Sequence, residues 1–252
     1  MMDLEIVDNA KKSGDNNVLL MLSGGRDSFL AACRLIEQGF YVHMITYDNG
    51  CMSNVEAAGT VAERIIKRYG TNRASFEGIY NIATYLWRLQ QKYLYQTIED
   101  SSKKYPFLQP AQLPCLACHT GMYIESIAFC KAHNISFIAE GARKIQNFFV
   151  ELEVMVNRYR ALLHKYDIEL ILPVYNLEDD WERKQELADR GFVPKTLEPQ
   201  CWLGCPMKQG LTEQEQKSLA DYYDNEIEPK LEDWISASLL RKKACDESSF
   251  FI

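Results

Sequence analysis

The stretch Leu19–Leu35, "LLMLSGGRDSFLAACRL", constrains the chain more than any other. An apolar run breaks on Gly24 and Gly25 and resumes at once with helical spacing. A buried strand that passes through a glycine turn into a helix aims unpaired first-turn N–H groups into one concavity. The positive end of the helix dipole lies there too, so such a turn is an anion site. Ser23 and Ser28 add hydroxyl donors. Asp27 repels a phosphate unless a cation stands between them, and a divalent ion such as Mg²⁺ resolves that conflict. No Gly-Lys-Ser/Thr follows the glycines, and no third glycine stands three residues after the second. The Walker and dinucleotide-fingerprint patterns are therefore excluded.

The alternation continues along the chain. Val18–Leu22 reads as a buried parallel strand, and Ser28–Gln38 as a helix with Phe29, Ala32, Cys33 and Ile36 on one face. Phe40–Thr46 is a second strand, Val55–Arg68 a second helix and Ala74–Ile79 a short strand. Asn81–Glu99 reads as a longer helix, and Ser101–Pro114 as a proline-bearing connector. Then come Gly121–His133 as helix, Ile135–Ala139 as strand, Phe149–Lys165 as helix and Ile168–Val174 as a last strand. Strands alternating with helices predict an α/β fold, a parallel twisted sheet with helices on both faces. Thr212 and Glu215 stand at capping-box spacing, so the C-terminal stretch is expected to be helical. Residues 1–200 are expected to form one domain, with 201–252 a cysteine-containing helical extension packed on it.

With 252 residues, 47% hydrophobic and 25% charged, the chain suits one globular domain. No apolar run approaches the roughly 20 residues that span a bilayer. Met1–Asp15 is polar and unlike a signal peptide, so the expectation is a cytoplasmic protein without membrane contact. The net charge of −7 counts against a broad nucleic-acid surface, although a local basic patch can sit under an acidic total. Eight cysteines in such a chain are not a disulfide framework and need another reason.

Ser23-Gly24-Gly25-Arg26-Asp27-Ser28 resembles the SGGxDS signature of the PP-loop ATP pyrophosphatases, with all five fixed positions in agreement. These enzymes belong to the adenine nucleotide alpha hydrolase-like superfamily, whose Rossmann-like domain is called HUP-type. It includes tRNA thiolases, 7-cyano-7-deazaguanine synthase and the ATPase domain of GMP synthetase. The resemblance implies ATP and Mg²⁺, cleavage between the α and β phosphates, adenylation of a substrate oxygen and release of pyrophosphate. It implies that Ser23, Gly24, Gly25, Asp27 and Ser28 cradle the pyrophosphate, with Arg26 at the variable position of the ATP site. The end of the second strand, "TYDNG", would then lie near adenine and ribose, making Tyr47, Asp48 and Asn49 nucleotide-site candidates. A plain Asp-Asn-Gly turn is the other account of the same residues. "EGARKIQ", from Glu140 to Gln146, stands where many relatives carry a Gly-His and an acidic pair, and departs from that pattern. Gly141 and Arg143 join the expected ATP site, and Lys144 is placed to meet the α-phosphate as a catalytic cation.

Cys115-Leu-Ala-Cys118 reads as a loop just before a helix, as in PP-loop enzymes that thiolate tRNA, and Cys201 and Cys205 follow about eighty residues later. Three accounts of this quartet stay open beside that of inert thiols. One is a structural zinc ion held by four thiolates. Another is a 4Fe-4S cluster held by three, with one iron open to sulfur. The third is a metal-free persulfide relay with Cys118 as a catalytic thiol. His119 is an alternative ligand, while Cys33 and Cys130 read as buried helix-face residues and Cys51 as a single. Glu178, Asp179 and Asp180 suit a helix N-terminus better than catalysis. Tyr80, Tyr85, Trp87, Tyr93 and Tyr95 suit packing better than base stacking. The expected reaction is thiolation of a tRNA base or a small nucleobase-like molecule, from an unknown sulfur donor. Nitrogen transfer onto a carboxylate with structural zinc, and a nucleotide-binding regulator without chemistry, are the alternatives. A homodimer is left open.

Overall fold

The computed structural model describes residues 16–85, 103–108, 112–195, 199–202 and 210–248, without the side chains of 243–248. Five parallel strands form the central sheet: β1 (Asn17–Met21), β2 (Tyr41–Asp48), β4 (Ala74–Asn81), β5 (Phe137–Glu140) and β6 (Glu169–Ile171). Their order is β4-β2-β1-β5-β6. The order reverses at β1, so the loops leaving β1 and β5 diverge at one crevice at the carboxyl ends, where open α/β sheets bind ligands. The fold is the α/β, Rossmann-like one that the alternation predicts.

Side chains along β1 alternate between two cores. Leu19 and Met21 join one, Val18 and Leu20 the other, and all four are buried. On the second face lie α1 (Arg26–Glu37), α2 (Ala57–Tyr69) and α5 (Asp180–Asp189). The face predicted for α1 is buried, and so are Leu30, Ala31 and Leu35, so the helix is enclosed on most sides. Arg34 of α1 bonds Glu186 of α5 and the Pro173 carbonyl, fixing the two helices together. The first face holds α3 (Leu113–His133), α4 (Glu153–His164), α6 (Glu213–Tyr222) and α7 (Glu228–Ser248). Thr212 and Glu215 close the capping box of α6 as predicted. A π-helical turn, Tyr223–Ile227, joins α6 to α7, which packs along α3.

Two departures from expectation matter for the site. First, α3 begins eight residues before Gly121, at Leu113, with Pro114 in its first turn. Proline is pre-organised for a first turn and lacks only an N–H that would be unpaired there. Cys115 and Cys118 therefore sit on the first turns of a helix, not in a loop before one. Second, a two-stranded antiparallel pair joins β3 (Met52–Ser53) to β7 (Gln200–Cys201), pairing Met52 with Cys201. Most of the predicted Asn81–Glu99 helix lies outside the described residues; Ala83–Tyr85 is helical. No described helix is long and apolar enough to cross a membrane.

Candidate active site

The glycine turn joins β1 to α1 and is braced from within. Ser28 Oγ accepts from Ser23 N at 3.2 Å and donates to the Gly25 carbonyl at 3.1 Å. Gly25 N donates to Ser23 Oγ at 3.2 Å, and the two serine hydroxyls stand 3.0 Å apart. Ser28 is buried, so it serves as the loop's scaffold while Ser23 is exposed at its mouth. The entry is pinned by Thr46 Oγ1, which donates to the Leu22 carbonyl at 2.8 Å. Gly24 has φ +83°, and a Cβ there would stand 3.0 Å from Ala58 Cα. At Gly141, just after β5, a Cβ would lie 2.5 Å from Ser28 N. Only glycine lets the β5 exit lie this close to the loop.

A cavity of about 530 Å³ opens over this turn, lined on one side by Ser23, Gly25, Arg26, Asp27 and Ser28 and on the other by Gly141, Arg143 and Gln146. Asp27 is held by cationic and amide donors. Arg183 Nη1 stands 2.6 Å and Arg143 Nη1 3.4 Å from its Oδ1, and Gln146 Nε2 2.8 Å from its Oδ2. Both guanidinium groups are almost wholly buried. Arg143 also donates to the Leu177 and Glu178 carbonyls, and Arg183 to Asp180. Arg183 Nε is buried with no hydrogen-bond partner among the described residues. Two fixed guanidiniums beside a helix N-terminus suit bidentate binding of phosphate oxygens. Lys144 does not join them: it is exposed, lies 3.8 Å from Glu153 and lines neither this cavity nor the next.

A second, mostly apolar cavity of about 260 Å³ adjoins the first and is lined by Thr46, Tyr47, Asn49, Cys115, Cys118, Phe148 and Cys201. The two share Met21, Ser23, Met52, His119 and Met122 as a common wall. Asn49, expected near the nucleotide, instead donates its amide to Cys118 Sγ at 3.3 Å and Cys201 Sγ at 3.4 Å. Burial, with Cys118 and Cys201 adding repulsion, pushes the Cys115 thiol up to about 12. Burial raises Cys118 to about 11, and the Asn49 hydrogen bond works against that rise. Cys51 lies close enough to Cys201 and Cys118 for their charges to interact. Its carbonyl accepts from Trp202 N at 2.9 Å. Cys205 lies outside the described residues. Among the described residues no three His, Cys, Asp or Glu side chains are disposed to hold a metal ion. Tyr47 lines the cavity with its ring, its hydroxyl 2.6 Å from Ser126 Oγ. Asp48 accepts from Gly50 N at 2.8 Å, as a plain turn residue would.

The sequence profile of the thiamine biosynthesis protein ThiI, a PP-loop family, matches residues 13–104, the segment that carries β1, the glycine turn and α1. The match covers the glycine turn and stops before Cys115, so Cys115, Cys118 and Cys201 lie outside it. No curated protein matches the chain in sequence. Solved structures similar to this chain include a predicted subunit of tRNA methyltransferase from Methanocaldococcus jannaschii. It is 20% identical, with TM-score 0.42, over 73% of this chain and 96% of that one. The NH3-dependent NAD synthetase from Campylobacter jejuni is 14% identical, with TM-score 0.49, over 94% and 89%. The NMN synthetase from Francisella tularensis is 14% identical, with TM-score 0.45, over 93% and 88%.

Several residues of the site escape a sequence reading. Arg183 follows an N-terminal acidic run that does cap its helix, with Asp179 Oδ1 accepting from Trp181 N at 2.7 Å. Nothing local marks the arginine as reaching Asp27. Glu151 lines the first cavity although no stretch singled out in the sequence contains it. Glu151 is half-buried, and desolvation together with the Glu140 charge raises its carboxyl to about 8. Cys51 joins the thiols because β3 pairs with β7, a contact across about 150 residues.

Proposed function

We propose that the chain activates a nucleobase-like carbonyl with ATP and replaces its oxygen by sulfur. One observation carries the proposal: the phosphate cavity and the thiol cavity share a wall, so an acceptor seated there meets both. The acceptor oxygen attacks the α-phosphorus, the bond to the bridging oxygen breaks, and pyrophosphate leaves toward the loop N–H groups, Arg143 and Arg183. Fixed donors around departing phosphates supply charge stabilisation without reorganisation. A sulfur at the hydrosulfide level then attacks the same carbon. AMP leaves with the carbon–oxygen electrons, the S–H proton passes to solvent and a thiocarbonyl remains. Cys118, whose Sγ accepts from Asn49, lines the cavity that the hydrosulfide enters and positions it there, with no bond between the two sulfurs. In this account Ser23, Gly24, Gly25, Arg26, Ser28 and Gly141 form the nucleotide cradle, and Cys201 lines the thiol side. The acceptor is a tRNA base or a free small molecule.

Incubation with ATP, Mg²⁺, sulfide and nucleobase acceptors is expected to form AMP and pyrophosphate in equal amounts. Formation of ADP and phosphate, or no acceptor-dependent AMP, would overturn the proposal.

A further inference from the structure

Glu151 closes a 3₁₀ turn, Phe149–Glu151, whose Phe149 and Val150 are buried in the core. The backbone of the turn is held on both sides. Glu151 N donates to the Phe148 carbonyl at 2.8 Å, and the Tyr175 hydroxyl donates to the Glu151 carbonyl at 3.0 Å. The half-buried side chain lines the phosphate cavity. Its Oε2 accepts from Arg143 N at 3.3 Å, and no other described residue hydrogen-bonds the carboxyl.

The charges around it are unbalanced. Glu140 at the end of β5 and Asp27 in the first turn of α1 both repel a charge on Glu151. The Arg143 guanidinium attracts it, yet hydrogen-bonds elsewhere, to Asp27 and to the Leu177 and Glu178 carbonyls. Arg183 is directed to Asp27 and Asp180. His119 stands 3.2 Å from Glu140, and Glu153, at the start of α4, is exposed and pairs with Lys144. Tyr175, from the loop after β6, meets Glu151 at the backbone.

Four carboxyl groups and three guanidinium groups line the cavity. A triphosphate brought in there meets Glu151 either as a like charge or as a donor. A neutral carboxyl carries an O–H, and phosphate oxygens accept. With Oε2 accepting from the Arg143 N–H, Oε1 is the oxygen left to carry the hydrogen. Surroundings that keep an acid neutral turn it into a hydrogen-bond donor. Glu151, raised to about 8, holds its proton near neutrality.

We propose that Glu151 binds the nucleotide as a neutral acid, donating its carboxyl O–H to a phosphate oxygen in the cavity. The proposal rests on the ATP-site reading above and adds to it a residue, outside the glycine turn, whose protonation sets the affinity.

The test uses the full chain with Mg²⁺ and α,β-methylene ATP, titrated by calorimetry. Wild-type affinity is expected to fall about tenfold between about pH 7 and 9, as the proton needed for binding becomes scarce. At the upper end, titrations in two buffers of different ionisation heat are expected to show uptake of most of one proton per nucleotide bound. Glu151→Gln keeps the shape and an N–H donor but has no proton to lose. Its affinity is expected to stay within about twofold over the same range, without proton uptake. The uptake is read on the wild-type chain, so it carries the test if the variant fails to fold. A flat wild-type affinity, or an equal fall in Glu151→Gln, would overturn the proposal and leave the ATP site standing. An affinity that rises with pH and is lost in Glu151→Gln would also overturn it, making Glu151 an ionised ligand of the nucleotide's Mg²⁺. Absence of binding by the wild-type chain at every pH would overturn the ATP-site reading and this proposal with it.

Discussion

Asp27 Oδ1 accepts from Arg143 and Arg183, and its Oδ2 from Gln146. A triphosphate drawing on these guanidinium groups competes with the carboxylate, and Arg183 has a buried Nε without a partner among the described residues. Arg183→Ala is expected to weaken ATP binding about tenfold or more, the scale of a lost charge-assisted hydrogen bond. Calorimetric titration measures it, and an unchanged affinity would remove Arg183 from the site. Cys118→Ser is expected to separate the two half-reactions: acceptor-dependent pyrophosphate still forms, while thiolated product is lost. Equal thiolation by the variant would release Cys118 from its role. Glu151 gives a pH signature. Its carboxyl is raised to about 8 in the fold against an ordinary 4.5. The folded chain therefore holds a proton that the unfolded chain has given up between those values. The stabilisation is complete below about 4.5 and is lost as pH rises through about 8. Thermal melts of Glu151→Gln should lose that decline and exceed wild type most clearly above pH 8; parallel pH curves for the two proteins would contradict it.

The elements of the site differ in how far their own sequence announces them. The turn between β1 and α1 is legible because strand, glycines and helix are local. The same holds for the α6 capping box, which spans four residues. The start of α3 is misread because Pro114 serves equally as the end of a connector and as a first-turn residue, and only packing decides between them. Cys51, Arg183 and Glu140 reach the site through tertiary contacts, which no spacing encodes. The Asn49 amide turning to two thiols is likewise settled by the β3–β7 pair that brings Cys201 back. Gly141 shows the converse, a residue picked from a motif whose physical reason appears only in the fold. A Cβ would meet Ser28 N at 2.5 Å, against backbone that cannot move without opening the loop. Gly141→Ala is expected to cost about 1–3 kcal/mol, the range for forced overpacking, and to lower ATP affinity as well. Chemical denaturation and nucleotide titration check both; a variant as stable and as tight as wild type would show that the loop tolerates the displacement.

At the scale of the whole molecule the alternation of strands and helices conveys the architecture, since parallel strands joined by helices leave few topologies. It does not convey which strands neighbour β1, and that order creates the crevice. Charge is the molecular property that bears on the acceptor. The chain carries 28 Lys and Arg against 35 Asp and Glu, a net charge of −7. Of the cations at the site, Arg143 and Arg183 are buried in the phosphate cavity and already face Asp27, so they add little to an outer RNA-binding surface. Each phosphate that a protein neutralises releases counterions, which makes RNA binding steeply salt-dependent. The expectation is weak association with bulk tRNA that vanishes as salt rises from about 50 to 200 mM, the range over which several phosphate contacts are lost. Filter binding across that salt range measures it. Weak, salt-labile tRNA binding beside salt-insensitive binding of a small nucleobase-like molecule would direct the search for the acceptor to free molecules. Tight tRNA binding that persists at the upper salt limit would contradict the expectation from charge and make a tRNA base the acceptor.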